Sequence, residues 1–186
     1  MSASTGVRTR AHEPTVVSQP SAVENQVSRI FRASPARVFR LFTAAATLPY
    51  VFSPHPERVT VEKFDFRVGG HYSILVVQDD GTSRRFHGEY REIEPPRRVV
   101  NTFNVDALPG PDWIETDEFE PVGDFTRVTV RWRFQRQEER DRMAGPDVER
   151  DLALMWDRVD ELLDKGWPEA VEARAQGKAD GAQDHR

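Results

Sequence analysis

The sequence predicts an α+β fold, with helices laid over one face of a hairpin-linked antiparallel sheet. Two changes of hydrophobic period and a series of turn signals carry that prediction. Apolar residues recur at helical spacing within 34–43 and 146–163, whereas between Arg58 and Phe134 the dominant period is two. Gly69-Gly70, Asp79-Asp80-Gly81 and Pro95-Pro96 divide the central stretch into short segments. With 186 residues and no internal repeat, one domain with tails accounts for the chain.

Residues 1–24 mix Ser, Thr, Pro and scattered charge without a period, and are expected to form a loose tail. The domain is expected over 25–166. It begins with a strand, NQVSRIFRA, followed by Ser34 as a capping hydroxyl and Pro35 at the first helical position. Val38, Leu41 and Phe42 put one face of that helix inward, and a second short helix is expected within 44–52, ended by Ser53, Pro54 and Pro56.

In RVTVEKFDFRVGG, Val59 and Val61 share one phase while Phe64, Phe66 and Val68 share the other, so a bulge is expected near Glu62 and Lys63. Gly69 and Gly70 then turn the chain tightly into HYSILVVQ. In FHGEYREIE, Phe86, Gly88 and Tyr90 fall on one face and His87, Glu89 and Arg91 on the wet one. A glycine within a strand marks a sharp bend or a close approach of another group to the backbone. RRVVNTFNV, WIETDEFEPV and DFTRVTVRWRF follow, the last with Val128, Val130, Trp132 and Phe134 on one side. Pro146 opens the final helix, whose stripe of Val148, Leu152, Met155, Val159 and Leu162 is broadened by Trp156 and Leu163, and Gly166 stops it. Residues 167–186 are expected to be mostly disordered, with WPEAVEARA prolonging a helix only weakly.

Composition narrows the function. A formal net charge of −5 argues against gripping phosphate backbone, so no nucleic-acid partner is expected. The absence of cysteine removes disulfides, thiolate nucleophiles and thiolate metal sites. No apolar run reaches the roughly 20 residues needed to cross a bilayer, and no signal-peptide core is present near the start. A cytoplasmic protein without a membrane partner is expected.

Motifs for chemistry are sparse. His12, His55, His71, His87 and His185 show no metal-ligand spacing, so no metal site is expected. His87 and Glu89 point the same way and form a conceivable acid/base pair, but a solvated strand face explains both. Arg84, Arg85, Arg97, Arg98, Arg131 and Arg133 read mostly as the outer face of the sheet. There is no phosphate-binding glycine loop, nucleotide fingerprint or nucleophile elbow, and no cofactor is expected.

The ordered runs FRASPARVFRLFT, FDFRVGGHYSI, DDG, FHGEYREIEPPRRVVNTF and GDFTRVTVRWRF, followed by a long terminal helix, carry a resemblance over about residues 26–165. The chain resembles the homologues of the activator of the ninety-kilodalton heat-shock-protein ATPase. These belong to the START-like, birch-pollen-allergen-like helix-grip superfamily (SRPBCC). The resemblance implies a curved antiparallel sheet of about six or seven strands wrapped round the C-terminal helix, with two short helices after the first strand and a hydrophobic cavity in between.

Two departures touch the expected cavity wall. Val51, Phe52, Ser53 and Pro54 stand where members often carry Trp-Trp-Gly-Pro, and Leu152 stands where many have tryptophan. On the sheet, the expected lining is Phe64, Phe66, Tyr72, Phe86, Tyr90, Asn101, Phe103 and Trp132. The final helix is expected to add Leu152, Met155 and Trp156, with polar groups supplied by Tyr72, Tyr90 and Asn101.

The expected function is non-enzymatic binding of a small hydrophobic molecule by a monomer or homodimer. A polyketide cyclase or aromatase-like enzyme and a co-chaperone-like regulator are the alternatives. An inward-facing Arg, Asp or His beside the aromatic residues favours the enzyme, and a dry cavity favours carriage.

Overall fold

The computed structural model describes residues 13–106, 108, 110 and 112–167. Eight strands form one antiparallel sheet: β1 (Val16–Ser21), β2 (Glu24–Phe31), β3 (Val59–Phe64), β4 (His71–Val77), β5 (Ser83–Glu94), β6 (Arg98–Val105), β7 (Trp113–Val122) and β8 (Phe125–Arg133). Their order across the sheet is β1-β2-β8-β7-β6-β5-β4-β3. Between β2 and β3 the chain crosses from one side of the sheet to the other through α1 (Pro35–Phe42), α2 (Leu48–Phe52) and a single 3-10 turn. After β8 come α3 (Gln137–Arg142) and α4 (Pro146–Asp164).

The expected plan of a sheet gripping a terminal helix is present, with eight strands rather than six or seven. The additional strand β1 lies within the stretch whose composition suggests a tail. Its residues pair with β2 over Val16 to Ser18 and again at Ser21, so backbone hydrogen bonds order a segment whose side chains stay largely exposed. Short polar edge strands carry little hydrophobic pattern, which is why composition misses them. α3 also lies outside the expected plan. Its six mostly charged residues are anchored by the buried Glu139, which accepts from the Gln135 amide and the Arg136 guanidinium. Of the expected C-terminal tail only Trp167 falls within the described residues, and WPEAVEARA otherwise lies outside them.

Several local expectations hold. The register of β3 against β4 slips between Val61 and Lys63, where the change of phase places a bulge. β3 nevertheless ends at Phe64, and 65–70 form a loop rather than a tight two-glycine hairpin. Gly69 has φ +77, and a Cβ on Gly70 would lie 2.0 Å from the Asp65 carbonyl oxygen, so both glycines serve that loop. Ser34 precedes α1, but its hydroxyl makes no cap bond; its carbonyl accepts from the Arg37 and Val38 amides, and Pro35 sets the helical φ. The second helix is shorter than expected, beginning at Leu48.

Gly88 answers to space rather than to backbone angle. A Cβ there would lie 1.8 Å from the Thr102 carbonyl oxygen and 2.9 Å from the Tyr72 ring. The pairing of β5 with β6 is interrupted between His87 and Tyr90, and there the Glu89 amide donates to the Thr102 hydroxyl.

α4 divides into two halves. Its C-terminal half is buried through Trp156, Val159 and Leu163, with Trp156 against Phe31 and Phe42 at ring separations of 5.5 and 6.2 Å. Buried Arg29 of β2 holds this half by ion pairs to Asp157 and Asp160. Arg37 of α1 donates to the carbonyls of Leu163 and Trp167, a cationic side chain satisfying the helix end. The N-terminal half, from Pro146 to Met155, has no buried residue. The helix is thus anchored at one end, which leaves a gap beneath the other.

Candidate functional site

That gap is a cavity of about 910 Å³. Ligand pockets span roughly 300 to 1,000 Å³, so it lies at the upper end of the usual range. β4 to β6 supply Tyr72, Phe86, Tyr90, Asn101 and Phe103 to its wall, β8 supplies Trp132, and the loop after β3 supplies Phe66. Leu152, Met155 and Trp156 enter from α4. The residues expected from the sequence therefore meet on one surface, except Phe64. That ring lies opposite Tyr72 on the same sheet face, stacks on Phe66 at 5.8 Å and meets Tyr90 edge-on at 6.3 Å, but does not itself line the hollow. Val51, Phe52, Ser53 and Pro54, the first of the two departures expected at the wall, also line it, whereas wall residues that the sequence does not place there include Phe42, Leu48 of α2, and Arg58 at the rim.

The polar part of the wall centres on β7. Trp113, Glu115, Asp117 and Phe119 share one phase; Trp113 and Phe119 are buried, so the two carboxylates between them also face inward. Both acids keep some accessible surface, as side chains lining a hollow do, yet they lie deep beneath the outer surface of the protein. Trp132 Nε1 donates to Glu115 Oε2 at 2.5 Å, and Asn101 Nδ2 donates to Glu115 Oε1 at 3.2 Å. Asn101 Nδ2 also lies 3.1 Å from the Tyr72 hydroxyl, which donates to the Thr102 carbonyl at 3.0 Å. Asp117 Oδ1 is enclosed and has no hydrogen-bond partner among the described residues.

Burial sets the protonation of this group. It pushes the Glu115 carboxyl up to about 7 from 4.5, against the opposing donors Asn101 and Trp132. Burial, reinforced by the neighbouring Glu115 charge, holds the Asp117 carboxyl well above the ordinary carboxylate range. Burial likewise raises Tyr72 and Tyr90, so both phenols keep their protons at neutral pH. No ion pair involving Glu115 or Asp117 is present among the described residues: the nearest thing to a counter-charge is a hydrogen-bond donor. The arrangement can accept a donor group, exchange a proton with a bound molecule, or neutralise a cation.

The outer face holds the remaining candidates. His87 Nε2 lies 3.1 Å from Asp106, while Glu89 lies 3.9 Å from His71 across the strand pair, so the two members of the conceivable acid/base pair each face a different partner. Arg85 pairs with Glu62 and Asp106, Arg98 with Glu92, Arg97 with Glu94, and Arg131 bonds Gln26. Arg84 departs from the outer-face reading. It shares the phase of Phe86 and reaches the cavity rim, since β5 begins beyond the enclosed part of the wall.

Glu115 and Asp117 are functional candidates that apolar patterning overlooks, although a signal for them exists. WIETDEFEPV alternates with large aromatic residues at both ends of one phase, and every residue between them in that phase is acidic. Polar composition masks such a strand when apolar residues alone are counted.

A curved antiparallel sheet closing on an amphipathic terminal helix around a part-apolar hollow defines the chain as a helix-grip protein. The chain belongs to the family described as activator of Hsp90 ATPase homolog 1-like protein, whose model matches residues 32–164. Solved structures share the fold. A crystal structure of a Rhodobacter sphaeroides protein matches with a TM-score of 0.71 at 20% identity, covering 82% of this chain and 99% of that one. A solution structure of an Arthrobacter aurescens protein matches with a TM-score of 0.70 at 22% identity, covering 82% and 92%. Protein Ms6760 from Mycobacterium smegmatis matches with a TM-score of 0.71 at 19% identity, covering 81% and 97%. No curated protein matches the chain. Among the described residues no helix is long and apolar enough to cross a membrane.

Proposed function

We propose that the chain binds a small, largely apolar molecule in the hollow between the sheet and the N-terminal half of α4. The observation that carries this reading is the unfilled volume of about 910 Å³, walled by aromatic rings and carrying one compact polar patch. An apolar wall supplies affinity by removing ligand surface from water, and a few placed polar groups fix orientation. Phe86, Phe103 and Trp132 hold the apolar body, and Asn101, Tyr72 and Glu115 hold its polar end. Native mass spectrometry of the purified protein tests this: a co-purified small molecule is expected. Repeated failure to find one, together with no thermal shift from any apolar compound, counts against binding.

A second reading is favoured by one observation, the inward carboxyl pair. Two neighbouring acids whose protons are held toward neutral pH suit general acid and base work on a bound substrate, as in a cyclase-like reaction. Replacing Glu115 by Gln and Asp117 by Asn separates the readings. An enzyme loses turnover while retaining its ligand, whereas a carrier has no turnover to lose.

A further inference from the structure

We propose that the molecule bound in this cavity carries a basic nitrogen, a protonated amine on an apolar or aromatic body, seated between Glu115 and Asp117. The inference rests on the binding reading above and adds the chemical class of the ligand. Both carboxyls line the hollow, and they stand two residues apart on one strand, about 7 Å along it. That spacing lets a single ammonium reach an oxygen of each. Neither carboxyl has an ion-pair partner among the described residues, and Asp117 Oδ1 is enclosed without any hydrogen-bond donor. Buried carboxylates are ordinarily paired with a cation or fully hydrogen-bonded; Glu115 has one neutral donor on each oxygen and Asp117 Oδ1 has none, so among the described residues the two acids of this ligand-sized hollow have no counter-charge. Their proton affinity, raised by burial, is the response of acids held without a counter-charge.

The other titratable groups around the cavity do not supply that cation. From β4 and β5 come Tyr72 and Tyr90, phenols that stay neutral. Exposed groups occupy the rim: Arg58 with Asp79, Arg150 with Asp147 and Asp151, and beside them His55, Arg84, Arg142 and Glu149. Those side chains stand in solvent, where salt screens charge over about 8 Å, whereas the carboxyls inside are screened far less. Phe103 and Trp132 also line the hollow, and aromatic rings are a favourable lining for a cation.

Three dansyl probes matched in length test the proposal on the full chain: dansylcadaverine, its N-acetylated neutral form, and dansyl-6-aminohexanoate. Fluorescence titration at neutral pH is expected to show the amine binding at least about 10-fold more tightly than the neutral probe, with the acid weakest. Calorimetry in phosphate and in Tris is expected to show protons released when the amine binds and none with the neutral probe. In Glu115→Gln/Asp117→Asn the amine's advantage is expected to vanish while the neutral probe still binds. Equal binding of all three probes, an amine preference without proton release, or a preference that survives the double substitution overturns the proposal and leaves the cavity reading standing. Failure of every probe to bind overturns both. The wild-type titrations and calorimetry decide the matter even where the variant does not fold.

Discussion

Gly88 is the residue at which the sheet's curvature is most exposed to substitution. Any side chain there meets the Thr102 carbonyl oxygen, a backbone atom held in β6 that cannot swing aside. Gly88→Val is expected to destabilise the fold by about 3 kcal/mol or more, the range of overpacked and strained core sites, read as a lower urea midpoint. An unchanged midpoint would mean that β5 and β6 do not approach this closely. Glu115 carries a different signature. Its carboxyl holds a proton to about pH 7 in the fold against 4.5 in the unfolded chain, so the native state binds that proton more strongly. Stability from this group is full below pH 4.5, declines as pH rises toward about 7, and is level above. A shift of that size corresponds to at most about 3 kcal/mol. Glu115→Gln is expected to flatten that decline, so that the variant gains on the parent in thermal melts as pH rises from 4.5 to about 7. A parallel pH dependence in both proteins would show that Glu115 is not the group titrating.

At the scale of the element, α4 is two helices in function. Its C-terminal half belongs to the core with Trp156, Val159 and Leu163. Its N-terminal half stands over the hollow with Val148, Leu152 and Met155 on the wall. Filling the hollow from this half is therefore separable from damaging the fold. Leu152→Trp is expected to reduce uptake of apolar ligands while leaving the melting temperature unchanged or higher, since the added ring enters empty space rather than displacing neighbours. A large fall in melting temperature would place Leu152 in packed core instead. The strands show how much the sequence discloses at this level. The bulge after Val61 and the inward phase of β8 follow from side-chain alternation, because a shift of one residue moves every side chain to the other face. β1 leaves no such trace, since it is ordered mainly by backbone pairing, with Val17 packing against the core.

For the whole molecule, the order of elements, the α+β plan and the apolar faces that carry most of the aromatic wall are legible in the linear chain. Local rules specify them: the spacing of Val148, Leu152, Met155 and Val159 makes one helix face, and Phe86, Gly88 and Tyr90 make one strand face. The helix-grip plan and its hollow are implied by the family resemblance alone, and local rules do not specify the hollow. Its volume depends on how far the start of α4 stands from the sheet, and that distance is set by the distant anchors Arg29, Arg37 and Trp156 acting at the helix's other end. Nor can alternation alone tell whether the acids of β7 meet water or an enclosed space. A residue's phase is a property of its own strand, but its dielectric surroundings are made by segments remote in the chain. Tertiary packing alone therefore turns Glu115 and Asp117 from ordinary acidic residues into an enclosed pair with no ion-pair partner among the described residues.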